Sequence, residues 1–174
     1  LTLAKLSDLL YVESAMKPVY RSLLPTPIGT VRILANDEAI TRIDFVEEAD
    51  ASAYAENDVT LLARQQLTDY FEGQRQTFDL PLAPSGTEFQ QACWQALVQI
   101  PYGETRYYAE QARVIQRPSA VRAVGAANGA NPISIVVPCH RVIGKGGQLT
   151  GYAGGLDRKA WLLALERGAV ATGQ

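Results

Sequence analysis

The chain has 174 residues, of which 47% are hydrophobic and 20% charged, a balance that excludes disordered, collagen-like and low-complexity proteins. Its two cysteines and one histidine are too few for a tetrahedral zinc site, so we predict no metal site. We expect no cofactor either. The net charge of −2 divides into −7 over residues 1–100 and +5 over residues 101–174, which indicates either an anionic partner for the C-terminal half or two halves docked by mutual attraction.

The first residues do not resemble a targeting signal or a membrane-spanning segment. Lys5, Asp8 and Glu13 interrupt the hydrophobic residues there, and no stretch of the sequence approaches about 18 unbroken apolar residues. Met16 is the only methionine, so we interpret residues 1–15 as an extension without an assigned function. We expect a soluble, cytoplasmic protein that does not bind membranes.

The next stretch of the chain shows the alternation of a small antiparallel sheet. Val31 and Ile33 alternate with Arg32, and further apolar residues, Ile40, Ile43 and Phe45, follow the turn-forming pair at residues 36–37. Apolar side chains at every second position form one buried face of a strand. We therefore predict β-structure here.

A helix and a linker complete the predicted N-terminal domain, which covers residues 16–84. Asp58 is the predicted cap of this helix, and Gly73 ends it. The apolar positions that recur at helical spacing are Leu62, Leu67, Tyr70 and Phe71. Two prolines and a glycine within residues 80–86 favour an extended chain, and we place the start of the C-terminal domain, residues 85–174, in this linker.

The C-terminal domain begins with a capping box, in which Thr87 caps a helix and Gln90 reaches back to it. Cys93 falls on the apolar face of that helix and is interpreted as a small core residue. Two shorter helical patterns, over residues 107–115 and 119–128, flank a turn and predict a helix-turn-helix. The predicted fold class is therefore α+β: a small antiparallel sheet with a helix, then a mostly helical domain.

The second cysteine has the surroundings of a nucleophile. A β-branched run over residues 133–137 predicts a buried strand, which leads into Pro138, Cys139, His140 and Arg141. Neighbouring cations favour a thiolate, the nucleophilic form of cysteine. Adjacent side chains of an extended chain point in opposite directions, so His140 reaches the thiol only through a bend or a bridging water. A glycine-rich stretch over residues 144–155 and a helix over residues 156–166 follow.

Two segments around this cysteine resemble a known family. Residues 131–144 read NPISIVVPCHRVIG and residues 151–155 read GYAGG, which is similar to the signature of the O6-alkylguanine-DNA alkyltransferases, also called methylated-DNA-[protein]-cysteine methyltransferases. The resemblance covers residues 87–168 closely and residues 17–84 more loosely, and it is closest to the single-chain bacterial form. It implies a ribonuclease H-like N-terminal domain and a winged-helix-like C-terminal domain.

The resemblance also implies a reaction. Cys139 matches the residue that takes the alkyl group from O6 of guanine, with O4-alkylthymine as a further candidate substrate, and keeps it as a thioether, so each molecule reacts once. His140 deprotonates the thiol through a water and is oriented by Glu166, which the residues alone would suggest to be a solvated charge at a helix end. Tyr108 donates to the departing guanine, although the sequence does not separate it from Tyr107. Asn131 holds the active-site turn.

The base pocket and the DNA contacts are implied in the same way. The residues that match the pocket wall are Tyr152, Ala153 and Gly154, and the carbonyls of Cys139 and Val142 match acceptors for the exocyclic amino group of guanine. Arg122 matches an arginine that enters the base stack after the nucleotide is flipped out of the duplex. The small residues expected at the minor groove are Ala123, Ala126, Ala127 and Gly129; close helix packing is the alternative explanation for them.

The expected partner is double-stranded DNA containing O6-alkylguanine, bound through the minor groove by a monomer. The basic candidates for phosphate contact are Arg106, Arg113, Arg117, Arg141 and Lys145. Two other functions are weighed against this one. A lesion-binding protein without transfer activity would not need Cys139, and a regulator fused to a zinc-binding module would need further Cys or His residues.

Overall fold

The computed structural model describes two stretches of the chain, residues 19–47 and 54–170; the predicted extension lies outside them. Three strands come first: β1 (Tyr20–Thr26), β2 (Gly29–Ala35) and β3 (Ile40–Val46). The elements that follow are α1 (Asp58–Phe71), α2 (Glu88–Val98), β4 (Arg106–Tyr107), α3 (Tyr108–Val114), α4 (Val121–Gly129), the 3-10 turn Cys139–Arg141, β5 (Val142–Ile143) and α5 (Leu156–Glu166). Within the described stretches, no helix is both long and apolar enough to span a membrane.

β1, β2 and β3 form one antiparallel sheet with β2 in the middle. Val31 and Ile33 of β2 share a face and are fully buried, whereas Arg32 between them donates to Asp44 of β3. The turn from β1 to β2 uses Gly29 at a φ of 120°, a conformation that side chains disfavour. The predicted sheet, and with it the α+β fold class, is confirmed.

α1 packs against the sheet, but two details of its prediction are wrong. The cap is Asn57 and not Asp58: the Asn57 side chain accepts from the Thr60 N–H at 2.9 Å, and the Thr60 hydroxyl accepts from the Asn57 N–H at 3.0 Å. Leu62 is 45% exposed, because it lies one position before the buried stripe. That stripe consists of Ala63, Leu67, Tyr70 and Phe71.

The C-terminal domain contains the predicted capping box and helix-turn-helix. Thr87 and Gln90 exchange side-chain hydrogen bonds with each other's backbone N–H at the start of α2. α3 and α4 are joined by a short turn and held together by two buried amides. Gln111 donates to Asn128 at 2.9 Å, and Asn128 donates back at 2.8 Å. Cys93 of α2 is fully buried, and its carbonyl also accepts from Gln111.

The segment before the 3-10 turn is a compact turn and not the predicted buried strand. Of its residues, Ile133 alone forms a bridge to a described strand, an isolated parallel bridge to Ile43. The Val137 N–H donates to the Ile133 carbonyl at 3.1 Å, so the segment closes on itself. Ile135 has a φ of 72°, which an extended chain does not allow. All its residues are buried, which explains the apolar sequence without a strand.

One hydrophobic core continues from the sheet into the C-terminal domain. Ile43 of β3 donates to the Pro132 carbonyl and accepts from the Ser134 N–H, both at 2.9 Å. From α5, Arg158 Nε donates to the Ile28 carbonyl at 2.7 Å. These contacts fix the turn that carries Cys139 and the helix that carries Glu166 against the N-terminal sheet.

Candidate active site

Cys139 begins the 3-10 turn and is held by one amide side chain. Asn131 Nδ2 donates to the Val137 carbonyl at 2.8 Å and to Cys139 Sγ at 3.3 Å, while Asn131 Oδ1 accepts from the Ile133 N–H at 3.0 Å. Cys139 as a whole is 6% exposed. One residue therefore fixes both the shape of the turn and the position of the sulfur.

The Cys139 thiol is protonated at rest. Burial raises its pKa, although the Asn131 hydrogen bond and the positive charge of Lys159 oppose this increase. The expectation that Arg141 favours the thiolate is wrong, because Arg141 pairs with Glu166 instead. Nucleophilic chemistry at this sulfur therefore requires a base.

His140 has the geometry of a neutral base. Its Nε2 lies 2.6 Å from Glu166 Oε2. Burial would raise the pKa of Glu166, but His140 and Arg141 outweigh burial and lower it to about 2. The ionised carboxylate can only accept, so Nε2 carries the proton. Burial lowers the pKa of His140 despite Glu166, and the buried Nδ1, which makes no hydrogen bond within the described chain, keeps a free electron pair.

Arg141 belongs to this buried network and not to a DNA-binding surface. Its Nε donates to Glu166 Oε1 at 2.7 Å and its Nη2 to Oε2 at 3.1 Å. Its Nη1 donates to the Ile100 carbonyl at 2.7 Å, and the side chain is 7% exposed. The predicted DNA contact is corrected: this guanidinium anchors the carboxylate that orients His140.

Lys159 is a residue of the site that the sequence prediction missed. Its side chain is fully buried, and Nζ donates to the carbonyls of Val142 at 2.6 Å and Thr150 at 2.7 Å. Burial lowers the pKa of Lys159, and Cys139 opposes that decrease. Lys159 and Glu166 lie seven residues apart in α5 on the buried stripe of Leu162, so charged residues at core spacing were the available signal.

The glycine-rich loop is fastened to α3. The Tyr108 hydroxyl donates to the Thr150 carbonyl at 3.0 Å, the same oxygen that accepts from Lys159. The Val142 carbonyl, expected to receive a guanine amino group, also accepts from Lys159. Tyr108 and Lys159 thus hold the loop from both sides, and a carbonyl oxygen retains a second lone pair for a further donor.

Three loop residues were expected to form the wall of a base pocket. Tyr152 is buried, and burial raises the pKa of its phenol. Gly154 passes close to it: a Cβ at that position would lie 2.8 Å from the Tyr152 ring and 3.2 Å from Phe45. Ala153, between them, is exposed. The glycine is therefore required for the loop to approach the tyrosine.

One face of α4 is exposed and carries mostly small side chains. Arg122, Ala123, Ala126 and Gly129 are exposed along it. Ala127 is 3% exposed, and its carbonyl accepts from Trp94 Nε1 at 2.8 Å. The expectation that Ala127 faces DNA is thus wrong, because its side of the helix packs on α2. The other expected phosphate contacts, Arg113, Arg117 and Lys145, are exposed, and Arg106 is half-buried beside Glu104.

The structure defines a class of two-domain protein, in which a small sheet domain packs against a helix-turn-helix domain with a buried Cys-His-Glu site. Comparison with known families identifies the family. Residues 88–168 match the family model described as 6-O-methylguanine DNA methyltransferase, DNA binding domain, and residues 19–84 match the model of its ribonuclease-like domain. The chain belongs to the 6-O-methylguanine DNA methyltransferase family.

Individual relatives agree with this assignment. The chain is 47% identical over 153 residues to the methylated-DNA–protein-cysteine methyltransferase of Methanosarcina barkeri. The aligned region covers 85% of this chain and 97% of that protein. The O6-methylguanine methyltransferase of Mycobacterium tuberculosis superposes with a TM-score of 0.78 at 43% identity, over 89% and 96% of the two chains. A structure of OGT from the same organism in complex with DNA gives a TM-score of 0.79 at 44% identity, over 87% and 94%. The chain is thus a DNA-repair methyltransferase with a DNA-binding domain.

Proposed function

We propose that this protein removes the alkyl group from O6-alkylguanine in duplex DNA by transferring it irreversibly to its own Cys139. O4-alkylthymine presents the same kind of alkyl–oxygen bond and is a further candidate substrate. The observation that carries the proposal is the arrangement of a buried thiol beside a histidine whose Nε2 is fixed on an ionised carboxylate. That arrangement supplies a base for the thiol at neutral pH.

The proposed step is a displacement at carbon. His140 Nδ1 takes the thiol proton through a bridging water, the Cys139 sulfur forms a bond to the alkyl carbon, and the bond from that carbon to O6 breaks. The electron pair stays on guanine, and the Tyr108 hydroxyl stabilises the resulting charge once its O–H turns from the Thr150 carbonyl to the base. The loop wall at Tyr152, Ala153 and Gly154 encloses the base.

The reaction ends with a spent protein. A thioether is not hydrolysed under physiological conditions, and the site has no group that would remove the alkyl carbon from sulfur among the described residues. Each molecule therefore reacts once, as a stoichiometric reagent.

The exposed face of α4 fits the DNA side of this proposal. A duplex buries the alkyl carbon, so the nucleotide must rotate out, at a cost of a few kcal/mol. Small side chains allow α4 to enter a minor groove about 6 Å wide, and Arg122 fills the space left by the flipped base. We propose that a monomer binds in this way.

Stoichiometry tests the proposed function directly. A duplex with one O6-methylguanine is supplied in tenfold excess, and repaired strands are counted after the reaction stops. We expect a plateau at one repaired strand per protein molecule. Continued turnover, or tight lesion binding without repair, would overturn the proposal; the second result would assign the protein to non-transferring lesion binders.

The role of Arg122 has its own test. Arg122→Ala is expected to slow repair of duplex DNA at least about tenfold while leaving the reaction with free O6-benzylguanine within about twofold, because base flipping is needed only in the duplex. Rates are measured by single-turnover quench. Equal losses on both substrates would contradict the proposed intercalating role.

A further inference from the structure

A tyrosine of the N-terminal domain reaches the catalytic carboxylate. The Tyr70 hydroxyl of α1 donates to Glu166 Oε2 at 2.6 Å, across 96 positions of sequence. The same oxygen accepts from His140 Nε2 at 2.6 Å. Tyr70 is fully buried, and its phenol pKa is raised well above the ordinary value by burial, then by Glu166. Tyr70 therefore stays a neutral donor at every physiological pH.

The other ionisable groups around this pair come from four parts of the fold. Arg141 of the 3-10 turn binds both oxygens of Glu166, and Lys159 of α5 lowers the pKa of His140 together with Arg141. Burial raises the phenol pKa of Tyr102, from the loop after α2, and of Tyr152, from the glycine-rich loop, and the negative charge of Glu166 adds to both increases. Among these neighbours, Tyr70 and Arg141 donate hydrogen bonds to the oxygen that faces His140.

We propose that Tyr70 is a positioning residue for alkyl transfer: by donating to Glu166 Oε2 it fixes the carboxylate and restrains the negative charge that this oxygen presents to His140, so that His140 stays neutral. The inference rests on the proposed function, in which neutral His140 accepts the thiol proton. It gives the N-terminal domain a part in the reaction beyond structural support.

The direction of the effect follows from the hydrogen bonds. Without the Tyr70 hydroxyl, Oε2 carries more charge and stabilises the imidazolium form of His140. The pKa of His140 then rises, and a higher pH is needed to obtain the neutral base. The acid side of the pH–rate curve therefore moves to higher pH.

The single histidine of the sequence makes a direct measurement simple. Untagged protein labelled with 13C and 15N histidine gives one imidazole signal, which is titrated by NMR in wild type, Tyr70→Phe and Tyr102→Phe. Tyr102 is the matched control, because its ring lies 6.2 Å from that of Tyr70 and Glu166 accepts no hydrogen bond from it. We expect the pKa of His140 to rise by at least about half a pH unit, a threefold change in its ionisation constant, in Tyr70→Phe alone.

A second variant tests the opposite direction and does not remove the hydroxyl. Difluorotyrosine at position 70 is a stronger donor, and we expect it to lower the pKa of His140. An unchanged histidine titration in both Tyr70 variants, or equal shifts in Tyr102→Phe, would overturn the proposal.

Transfer rates separate this inference from the proposed function. With a methylated duplex, the acid limb of the rate should move to higher pH in Tyr70→Phe and remain in place in Tyr102→Phe. If wild type transfers normally and the pH–rate curve of Tyr70→Phe coincides with that of wild type, the role of Tyr70 alone is rejected. If wild type transfers no methyl group, the proposed function is rejected. A change in the pKa of His140 would then have no bearing on catalysis.

Discussion

At the scale of single residues, Asn131 holds both the turn before Cys139 and the Cys139 sulfur. Its amide makes two hydrogen bonds to backbone and one to the Cys139 sulfur, and all three are buried. Losing the partners of buried backbone groups costs about 1–3 kcal/mol per group. The turn and the thiol therefore depend on one side chain.

Asn131→Ala should lower both stability and thiol reactivity. We expect a loss of about 1–3 kcal/mol in the free energy of unfolding, because the buried Ile133 N–H loses its partner while the Val137 carbonyl keeps only its hydrogen bond from the Cys139 N–H. Urea unfolding measures this loss, and single-turnover methyl transfer measures the accompanying decrease in rate. Unchanged stability together with an unchanged rate would show that the turn is held without the amide.

Cys93 provides the control at the same scale. It is fully buried in α2, so a DNA base cannot reach its sulfur, and burial also raises its pKa. Cys93→Ala should keep methyl transfer within about twofold of wild type and lose about 1 kcal/mol or more of stability from the small cavity. A folded Cys93→Ala protein without transfer activity would contradict the assignment of the nucleophile to Cys139.

At the scale of elements, α4 has two faces with different tasks. Ala126 is exposed, whereas Ala127 packs against α2 beneath Trp94. Neighbouring positions in one helix thus separate the proposed DNA-binding face from the packed face, since residues one apart point about 100° away from each other.

A matched pair of substitutions tests this division. Ala126→Phe should weaken binding to duplex DNA at least about tenfold without lowering the melting temperature, because a bulky ring blocks the narrow groove. Ala127→Phe should lower the melting temperature, because overpacking a core typically costs about 1–3 kcal/mol. Binding is measured by fluorescence anisotropy and melting by circular dichroism. The reverse pattern would mean that the assigned faces are exchanged.

The elements also show where prediction from sequence ended. The sheet and the helices were predictable because apolar residues alternate in β2 and recur at helical spacing in α1 and α2. Residues 131–138 were not, because a β-branched apolar run fits a buried turn as well as a buried strand. The chain closes there through Asn131, and a side-chain bond of that kind has no period in the sequence.

At the scale of the whole molecule, the unequal charge of the two halves finds a partial explanation. Of the nine basic residues after position 100, Arg141 and Lys159 are buried in the site and Arg158 bonds to backbone. Exposed basic residues remain at α3, at the turn before α4 and in the loop, including Arg113, Arg117 and Lys145. We propose that these exposed residues contact phosphates beside the small-residue face of α4.

Salt dependence tests this distribution. Each phosphate contact contributes about −0.9 to the slope of log affinity against log salt. Arg117→Ala should reduce the magnitude of that slope by about one and weaken binding to all sequences alike. Arg42→Ala, an exposed arginine of the N-terminal sheet, is the control and should leave the slope unchanged. Equal slopes in wild type and both variants would exclude Arg117 from the phosphate contacts.

The site itself was only partly predictable, because it is assembled by the whole fold. Cys139 and His140 stand out as neighbours in the sequence, and resemblance to a family supplied Glu166. Lys159 has only the weak signal of a charged residue at core spacing in α5, and Tyr70 has no local signal of chemistry. Tyr70 occupies a core position of α1, 96 residues before its partner, so only the tertiary structure shows that its hydroxyl meets the carboxylate.

The most direct test of the central claim is the intact mass of the protein after incubation with a duplex containing one O6-methylguanine. Wild type and Cys93→Ala should each gain a single methyl group, about 14 Da, and no more, as expected of a nucleophile that forms a stable covalent product. Cys139→Ser should gain nothing, and peptide mapping should place the methyl group on Cys139. A gain that persists in Cys139→Ser, or no gain in wild type that binds the lesion, would contradict self-alkylation at Cys139.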